Sequence, residues 1–145
     1  AKGRDNARTP MQWDSSPAAG FTTGTPWLPV NPNYKEINAE VALTDEDSVF
    51  YTYQKLIALR KQLPVLTEGD FTLLAEEDEQ MFVYLRRTET EELLVMGNFS
   101  GREATFPLPE GWEGVPPLLA NYPNAEGNIF NPWEARMLHR KRGNS

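Results

Sequence analysis

Met81-Phe82-Val83-Tyr84-Leu85-Arg86 and Glu92-Leu93-Leu94-Val95-Met96-Gly97-Asn98-Phe99 are the two runs that decide the fold class of this chain. Both are short and rich in aliphatic and aromatic residues, and a polar segment separates them. Such a pair predicts two antiparallel strands joined by a short connection.

Further runs of this kind lie on both sides of the pair. They recur about every ten residues with turn-forming segments between them, which predicts an antiparallel sandwich or barrel. We expect a mainly β, antiparallel Greek-key β-sandwich over residues 65–145. The additional strands are predicted at 71–74, 102–108, 117–122, 127–130 and 134–139.

Charged segments flank several of these strands. The acidic runs 76–79 and 88–92 are predicted to be solvated hairpin tips that keep strand edges from pairing. The basic segment 136–142 is predicted to be a solvated end, with His139 as a bystander.

A helix is predicted upstream of the strands. Thr44 followed by Asp47 resembles a capping box, so the helix is expected to begin at Thr44 or Asp45 and to stop before Pro64. Apolar side chains recur at helical spacing along it and give it one apolar face. They are Val49, Phe50, Tyr53, Leu56 and Ile57.

Residues 3–14, Gly-Arg-Asp-Asn-Ala-Arg-Thr-Pro-Met-Gln-Trp-Asp, follow neither helical nor strand periodicity. Several prolines and glycines come directly after them, so we expect a long ordered loop, a kind of segment that is usually functional. Arginine, carboxylates and an indole suit a polar ligand with an apolar face, such as a sugar. The alternative is that Arg4 and Arg8 form buried ion pairs with Asp5 and Asp14 and only pin the loop.

Composition excludes several function classes. The 145 residues carry a net charge of −7, which argues against a nucleic-acid partner. The chain has no cysteine and one histidine, so neither a zinc site nor a Ser-His pair is expected. The acidic runs lack the ligand spacing of a calcium loop. No cofactor is expected, and no apolar run is long enough to span a membrane.

Residues 3–14 are followed in order by other recognisable runs. This series is similar to the C-terminal part of the α-amylase family of glycoside hydrolases, and within it to the branch of oligo-1,6-glucosidases, dextran glucosidases and trehalose-6-phosphate hydrolases. The likeness covers nearly the whole chain. The further runs are Gly20-Phe21-Thr22, Pro26-Trp27, Val30-Asn31-Pro32-Asn33-Tyr34, Ile37-Asn38, Ser48-Val49-Phe50-Tyr51, Leu56-Ile57-Ala58-Leu59-Arg60-Lys61 and Pro132-Trp133-Glu134-Ala135.

The resemblance implies two domains. Residues 1–64 would be the end of a catalytic (β/α)8 barrel, with an active-site loop and the last barrel helix, and residues 65–145 a C-terminal β-sandwich. A complete barrel needs about 250 residues, so the rest of it must be supplied from outside these 145 residues. Without that barrel, the apolar helix face predicts self-association.

The resemblance also implies a retaining, exo-acting α-glucosidase whose catalytic Asp, Glu and Asp lie on earlier barrel strands. No catalytic residue is therefore assigned here, and the fragment alone is expected to be inactive. Arg4 would bind the terminal glucose of an α-glucoside oligosaccharide, and Asp5 and Asn6 would orient Arg4. Arg8, Gln12 and Trp13 are expected to be structural, and a cytoplasmic location is expected.

Two alternatives remain open. Within the same class, the parent is a trehalose-6-phosphate hydrolase. In a different class, the chain is a non-catalytic β-sandwich module with a structural or carbohydrate-binding role, which predicts exposed, coplanar Trp112 and Trp133. The last strand departs from the family pattern Arg-Pro-Tyr-Glu-Ala, because Asn131 and Trp133 replace the arginine and the tyrosine.

Overall fold

A computed structural model describes residues 3–143 of the chain. The chain divides into two units, Ala1–Ile57 and Ala58–Ser145, and each is described by itself.

The first unit contains short helical segments joined by extended backbone. Two are 3-10 turns, at Asp5–Ala7 and Pro32–Lys35, and α1 follows at Ala39–Thr44. Between the two turns, Pro17–Gly20 forms a turn in which Ala18 and Ala19 have a φ of +56°. The side chain of Asn38 caps α1 by accepting a hydrogen bond from the Val41 N–H at 2.9 Å.

Helix α2 spans Val49–Gln62, so the predicted start at Thr44 or Asp45 is wrong. Thr44 is the last residue of α1, and its hydroxyl donates backward to the Val41 carbonyl at 2.8 Å. A turn follows, closed by the Ser48 N–H on the Asp45 carbonyl at 3.0 Å. The predicted end is confirmed, since α2 stops two residues before Pro64. The apolar side chains Val49, Phe50, Tyr53 and Ile57 are exposed.

The second unit is mainly antiparallel β-structure, as predicted. The short helix α3, Val65–Glu68, leads into a five-stranded sheet of order β1-β2-β3-β7-β5. A second sheet pairs β4 with β6. The strands are β1 Asp70–Leu73, β2 Met81–Arg87, β3 Glu91–Asn98, β4 Ala104–Thr105, β5 Pro117–Ala120, β6 Ile129–Phe130 and β7 Ala135–Lys141.

One hydrophobic core lies between the two sheets. Side chains of β2, β3 and β7 meet β4, β6 and the buried ring of Trp112 there. Strand residues alternate between this core and the outer face of the five-stranded sheet, as pleated strands must. The core residues are Met81, Val83, Leu94, Met96, Ala104, Trp112, Phe130 and Leu138.

The acidic run 88–92 is not entirely a solvated hairpin tip. Glu91 and Glu92 begin β3 and are buried. The Glu91 carboxylate lies 2.6 Å from His139 Nε2. Glu92 pairs with Arg87 at 2.6 Å and with Arg140 at 2.7 Å.

The basic segment 136–142 is likewise not a solvated end. It supplies most of β7, a central strand, and Arg136 is buried. His139 is not a bystander, because it contacts Glu91. The sequence analysis failed here because the partners of His139 and Arg140 are Glu91 and Glu92, 48 residues away, where no local pattern can show them. Arg136 instead pairs with Glu134, two residues away.

Candidate functional site

Arg4, Asp5 and Asn6 lie together at the start of the loop, in an exposed 3-10 turn. The turn is closed by the Ala7 N–H, which donates to the Arg4 carbonyl at 3.2 Å. The sequence places a guanidinium, a carboxylate and an amide within three residues, and the turn presents all three to solvent.

The Asp5 carboxylate is bound by Arg8, not by Arg4. Arg8 Nη2 lies 2.9 Å from Asp5 Oδ1, and both side chains are exposed. Arg8 Nε also donates to the Arg4 carbonyl at 3.4 Å. Arg8 therefore pins the turn, but this pair is exposed and Asp14 binds Ser16, so only the Arg8–Asp5 part of the ion-pair interpretation is found and it is not buried. Within residues 3–143, the Arg4 side chain is exposed and makes no hydrogen bond.

Asp14 stabilises the far end of the loop. Its carboxylate accepts hydrogen bonds from the Ser16 hydroxyl and from the Ser16 N–H, the latter at 2.8 Å. These hydrogen bonds lower the pKa of Asp14 from its ordinary value of 3.8. Gly20 has a φ of +65°, and a Cβ there would meet the Asp14 carboxylate at 2.5–2.8 Å. The loop closes tightly because residue 20 is a glycine.

Gln12 and Trp13 connect the loop to the segment that leads into α1. Gln12 Nε2 donates to Asn33 Oδ1 at 3.0 Å and to the Ile37 carbonyl. The Gln12 and Trp13 carbonyls accept from the N–H groups of Ala39 and Glu40, each at 2.9 Å. This ladder supports the structural role expected for both residues.

A cavity of about 380 Å³ lies beside this ladder. Its lining is largely apolar, and Arg4, Asp5 and Asn6 do not contribute to it. The sugar-binding candidates therefore lie on an open surface in this unit. The lining residues are Thr9, Pro10, Met11, Gln12, Ile37, Asn38, Ala39, Ala42 and Phe50.

The structure offers no metal site among residues 3–143, where no three His, Cys, Asp or Glu side chains come close enough to share an ion. Over the same residues, no helix has the length and hydrophobicity needed to span a membrane.

A polar cluster around the buried side chains of Glu134 and Arg136 lies at the start of β7. Asn131 donates its backbone N–H and its side-chain amide to Glu134 Oε2, at 2.7 and 2.8 Å. Glu134 Oε1 receives Arg136 Nε at 2.6 Å. Arg136 also donates to the carbonyls of Gly127 and Ile129, and its guanidinium lies 3.9 Å from the centroid of the Phe130 ring. Asn131 thus supplies two of the hydrogen bonds that the buried Glu134 carboxylate needs in this turn.

Burial acts to raise the pKa of Glu134, but the hydrogen bonds from Arg136 and Asn131 outweigh it, so the pKa lies below its ordinary 4.5. Sequence reasoning missed this cluster. The signal available to it was the alternation of Glu134, Ala135 and Arg136, which places both charges on one face of a strand.

The two tryptophans do not form a shared platform. Trp112 is 2% exposed, beneath the Arg140 guanidinium at 4.2 Å from its ring centroid. Trp133 is 61% exposed. The hypothesis of a carbohydrate-binding module predicts that both rings are exposed, but only the ring of Trp133 is exposed.

A family profile, related sequences and solved structures all show similarity to the same group of proteins. The family profile described as "Alpha amylase, catalytic domain" matches residues 1–69. The oligo-1,6-glucosidase of Parageobacillus thermoglucosidasius is 49% identical over 143 residues, which are 94% of this chain and 25% of that protein. The trehalose-6-phosphate hydrolase of Bacillus subtilis is 57% identical over 110 residues, 76% of this chain and 20% of that protein.

Solved structures agree in fold. The crystal structure of Bacillus licheniformis trehalose-6-phosphate hydrolase matches with a TM-score of 0.90 and 45% identity, over 98% of this chain and 27% of that one. The trehalulose synthase MutB from Pseudomonas mesoacidophila matches with a TM-score of 0.88 and 38% identity, over 94% and 26%. The chain spans about a quarter of the length of the relatives it matches.

Proposed function

Because the chain belongs to the α-amylase family, we propose that it is the C-terminal part of a retaining, exo-acting α-glucosidase. The proposed parent hydrolyses α-1,6-glucosidic bonds of oligosaccharides, with α-1,4 bonds as a second substrate class. The observation that carries this proposal is the similarity to oligo-1,6-glucosidases over nearly all of the chain.

The chemistry of the proposed reaction places its catalytic groups elsewhere in the parent. A retaining glycosidase needs two carboxyl groups about 5 Å apart on either side of the scissile bond. In the loop, Asp5 is engaged by Arg8 and Asp14 by Ser16. We therefore propose that this chain alone is inactive and depends on the missing part of a (β/α)8 barrel.

Within that parent, residues 1–64 would complete the barrel and residues 65–145 would form a Greek-key β-sandwich. The antiparallel sheets and their single core support the sandwich assignment. The exposed apolar side of α2 supports a barrel contact, with self-association of the isolated chain as its consequence.

Arg4 is the proposed sugar-binding residue. A guanidinium has two parallel N–H groups that can span vicinal hydroxyls of a terminal glucosyl ring. Its exposure, together with the anchoring of the neighbouring backbone by Arg8, supports this role. Asp5 and Asn6, on the same turn, are proposed to set the position of Arg4, with Asp5 acting through Arg8.

Trehalose-6-phosphate hydrolase is the second candidate, favoured by the 57% identity of the Bacillus subtilis enzyme of that name. The two candidates differ in whether the substrate carries a phosphate. Neither candidate function requires a cofactor, a nucleic-acid partner or a membrane partner. For both, we propose a cytoplasmic location of the parent.

The test is an assay of the natural gene product that contains this chain. Isomaltose, trehalose and trehalose 6-phosphate are compared at equal concentration, with release of glucose as the readout. Preference for isomaltose supports the oligo-1,6-glucosidase proposal, and preference for trehalose 6-phosphate replaces it by the second candidate. A native product of 16.5 kDa without glucosidase activity would overturn both.

A further inference from the structure

A cavity of about 270 Å³ opens into the second unit beside the first residue of β5. We call it the β5 cavity. Its deeper part is apolar and continues the core between the two sheets, since Leu138 is a core residue and Leu108 and Val115 pack against the core. The lining of the β5 cavity includes Leu108, Val115, Pro116, Tyr122, Glu126 and Leu138.

One side of the rim of the β5 cavity is formed by the loop 121–128, which joins β5 to β6. Hydrogen bonds hold both ends of this loop. The Asn121 side-chain amide donates to the Trp133 carbonyl at 2.8 Å, and Asn128 Oδ1 accepts from the Leu108 N–H at 3.1 Å. A loop that is fixed before a ligand arrives loses little conformational freedom on binding. The rim is therefore suited to holding a ligand.

Three polar side chains of different kinds lie at this rim. The Tyr122 ring is 36% exposed, and its hydroxyl donates to the Pro132 carbonyl at 2.9 Å, which fixes the ring. Asn124 and Glu126 are exposed, and within residues 3–143 their side chains make no hydrogen bond. An aromatic ring, an amide and a carboxylate therefore border one cavity whose deeper part is apolar.

The charges of the lining favour a neutral ligand. Among the described residues, the charged side chains that line the cavity are Glu126 and Arg136. The Arg136 side chain is buried and lies 2.6 Å from Glu134, which balances its charge. An anion would meet the carboxylate of Glu126, and a cation would meet the guanidinium of Arg136. Glycoside hydrolysis needs two carboxyl groups, so the single carboxylate of this lining fits binding without cleavage.

The size and the chemistry of the β5 cavity fit a monosaccharide ring. Pockets for drug-sized ligands measure about 300–1,000 Å³, so a cavity of about 270 Å³ suits a smaller molecule. A pyranose is neutral, its C–H faces pack on an aromatic ring, and its hydroxyls bind carboxylates and amides. We propose that the β5 cavity binds one pyranose unit of a neutral sugar, with the ring against Tyr122 and hydroxyls on Asn124 and Glu126. This site is additional to Arg4 and does not rest on the proposed hydrolysis.

The experiment uses the natural full-length product with Pro116→Cys, which places a thiol at an exposed position of the lining. Ile129→Cys is the matched control, since Ile129 is 55% exposed in β6 and does not line the cavity. Residues 1–145 contain no native cysteine, so each variant adds one thiol to this region. The rate of its reaction with a water-soluble disulfide reagent is measured by difference from the unsubstituted protein, at increasing concentrations of methyl α-D-glucopyranoside.

We expect saturating glucoside to slow the thiol at position 116 roughly tenfold, because only the unoccupied cavity reacts, and to leave the thiol at position 129 unchanged. No effect at position 116, or equal effects at both positions, would overturn the proposal. Protection by inorganic phosphate but not by the glucoside would make the cavity an anion site. Equal protection by glycerol would show that the cavity does not select a pyranose ring. Either result also overturns the proposal.

Glu126→Ala in the Pro116→Cys protein tests the contact assigned to the carboxylate. The glucoside concentration that gives half of the protection should rise roughly tenfold, because a hydrogen bond to a charged group is lost. This concentration does not depend on the intrinsic reactivity of the thiol. Glu103→Ala removes an exposed carboxylate that does not line the cavity, and it should leave the concentration unchanged. Equal changes in the two variants would contradict the proposal.

Hydrogen exchange in the unsubstituted protein gives a second measurement that needs no substitution. The backbone amides of residues 122–128 should exchange more slowly when the glucoside is present, and unchanged exchange would overturn the proposal. Isomaltose hydrolysis is measured separately on the same protein. Protection of the cavity without hydrolysis would contradict the proposed glucosidase function and leave the sugar site standing, and hydrolysis without protection would do the reverse.

Discussion

Glu134 and Arg136 form a buried ion pair, with 2.6 Å between Oε1 and Nε and exposed side-chain fractions of 0% and 3%. The pair joins strand β7 to the turn at Asn131 and to the carbonyls before and within β6. A buried charge is tolerated only when it is paired and hydrogen-bonded, and here both conditions are met. This cluster therefore has a structural role in the second unit.

Replacing Arg136 by methionine is expected to lower the free energy of unfolding of the second unit by about 3–5 kcal/mol. The substitution leaves the Glu134 carboxylate buried without its cation and removes donors from two carbonyls. Arg87→Met is the control, since the Arg87 side chain is 49% exposed in its pair with Glu92, and it should cost less than about 1 kcal/mol. Urea titration measures both, and equal losses would contradict the assigned role.

Acid is expected to destabilise the second unit through Glu92 and Glu134. Burial acts to raise the pKa of Glu92, but hydrogen bonds and charges from Arg140 and Arg87 outweigh it, and the pKa of Glu134 is lowered in the same way. A carboxyl group with a lowered folded-state pKa contributes stability above its ordinary pKa of 4.5, and this contribution is lost as pH falls through the lowered value.

The Glu92→Gln variant isolates this effect. At pH 7 it should be less stable than the unsubstituted chain, because a neutral amide pairs more weakly with Arg140 and Arg87. Below pH 4.5 the difference should shrink as Glu92 itself becomes protonated. Urea midpoints of the variant and of the unsubstituted chain are measured from pH 7 to pH 3. A difference between the two midpoints that does not change with pH would show that protonation of Glu92 does not affect stability.

Gly20→Ala is expected to open the end of the loop. The new Cβ would clash with the Asp14 carboxylate, which Ser16 holds in place. The positive φ at this position also destabilises any residue with a Cβ. Gly114→Ala is the matched control, since Gly114 has a φ of +75° and free space around it. Its cost comes from the backbone conformation alone, about 1–2 kcal/mol.

Hydrogen exchange of the Trp13 and Asp14 amides, both bonded to the Ala19 carbonyl at 2.9 and 3.3 Å, reports the opening. Faster exchange in Gly20→Ala than in Gly114→Ala is the expected result. Unchanged exchange in Gly20→Ala would mean that the loop can accommodate the methyl group by moving Asp14.

Arg4→Met in the natural full-length product should lower kcat/KM for isomaltose by roughly 10- to 100-fold. A hydrogen bond from a charged group contributes about 1.5–3 kcal/mol, and this bond would be lost. Arg8→Met is the control, because Arg8 pairs with Asp5 on an exposed surface, and it should change kcat/KM several-fold less. Equal effects would contradict a sugar-binding role that belongs to Arg4 and not to Arg8.

The sequence predicted the strands best where the pattern is local. Strands β2 and β3 lie within one residue of the predicted bounds, because alternating apolar side chains and a polar connection define a hairpin from neighbouring residues alone. The predicted strand at 102–108 is only Ala104–Thr105, since the pairing available from β6 is two residues long.

The errors arose where distant partners decide the outcome. Thr44 has the sequence of a helix start, but Asn38 caps an earlier helix that Thr44 ends. Glu91 and Glu92 have the composition of a turn, but His139 and Arg140 draw them into the sheet from 48 residues away. For the site, the sequence predicted an ordered loop that holds Arg4, Asp5 and Asn6, and it left open which arginine pairs with Asp5. The 3-10 turn and the pairing of Asp5 with Arg8 come from the backbone geometry.

Strand β7 lies between β3 and β5 although it follows both in the chain. During synthesis on the ribosome, β3 and β5 therefore emerge with nothing between them, and the sheet closes only after residue 141 has left the exit tunnel. Until then each of the two strands has an open edge that can pair with other polypeptides. Closure of this sheet therefore waits for the synthesis of β7, and a nascent chain stalled before residue 135 presents two strand edges that β7 would otherwise occupy.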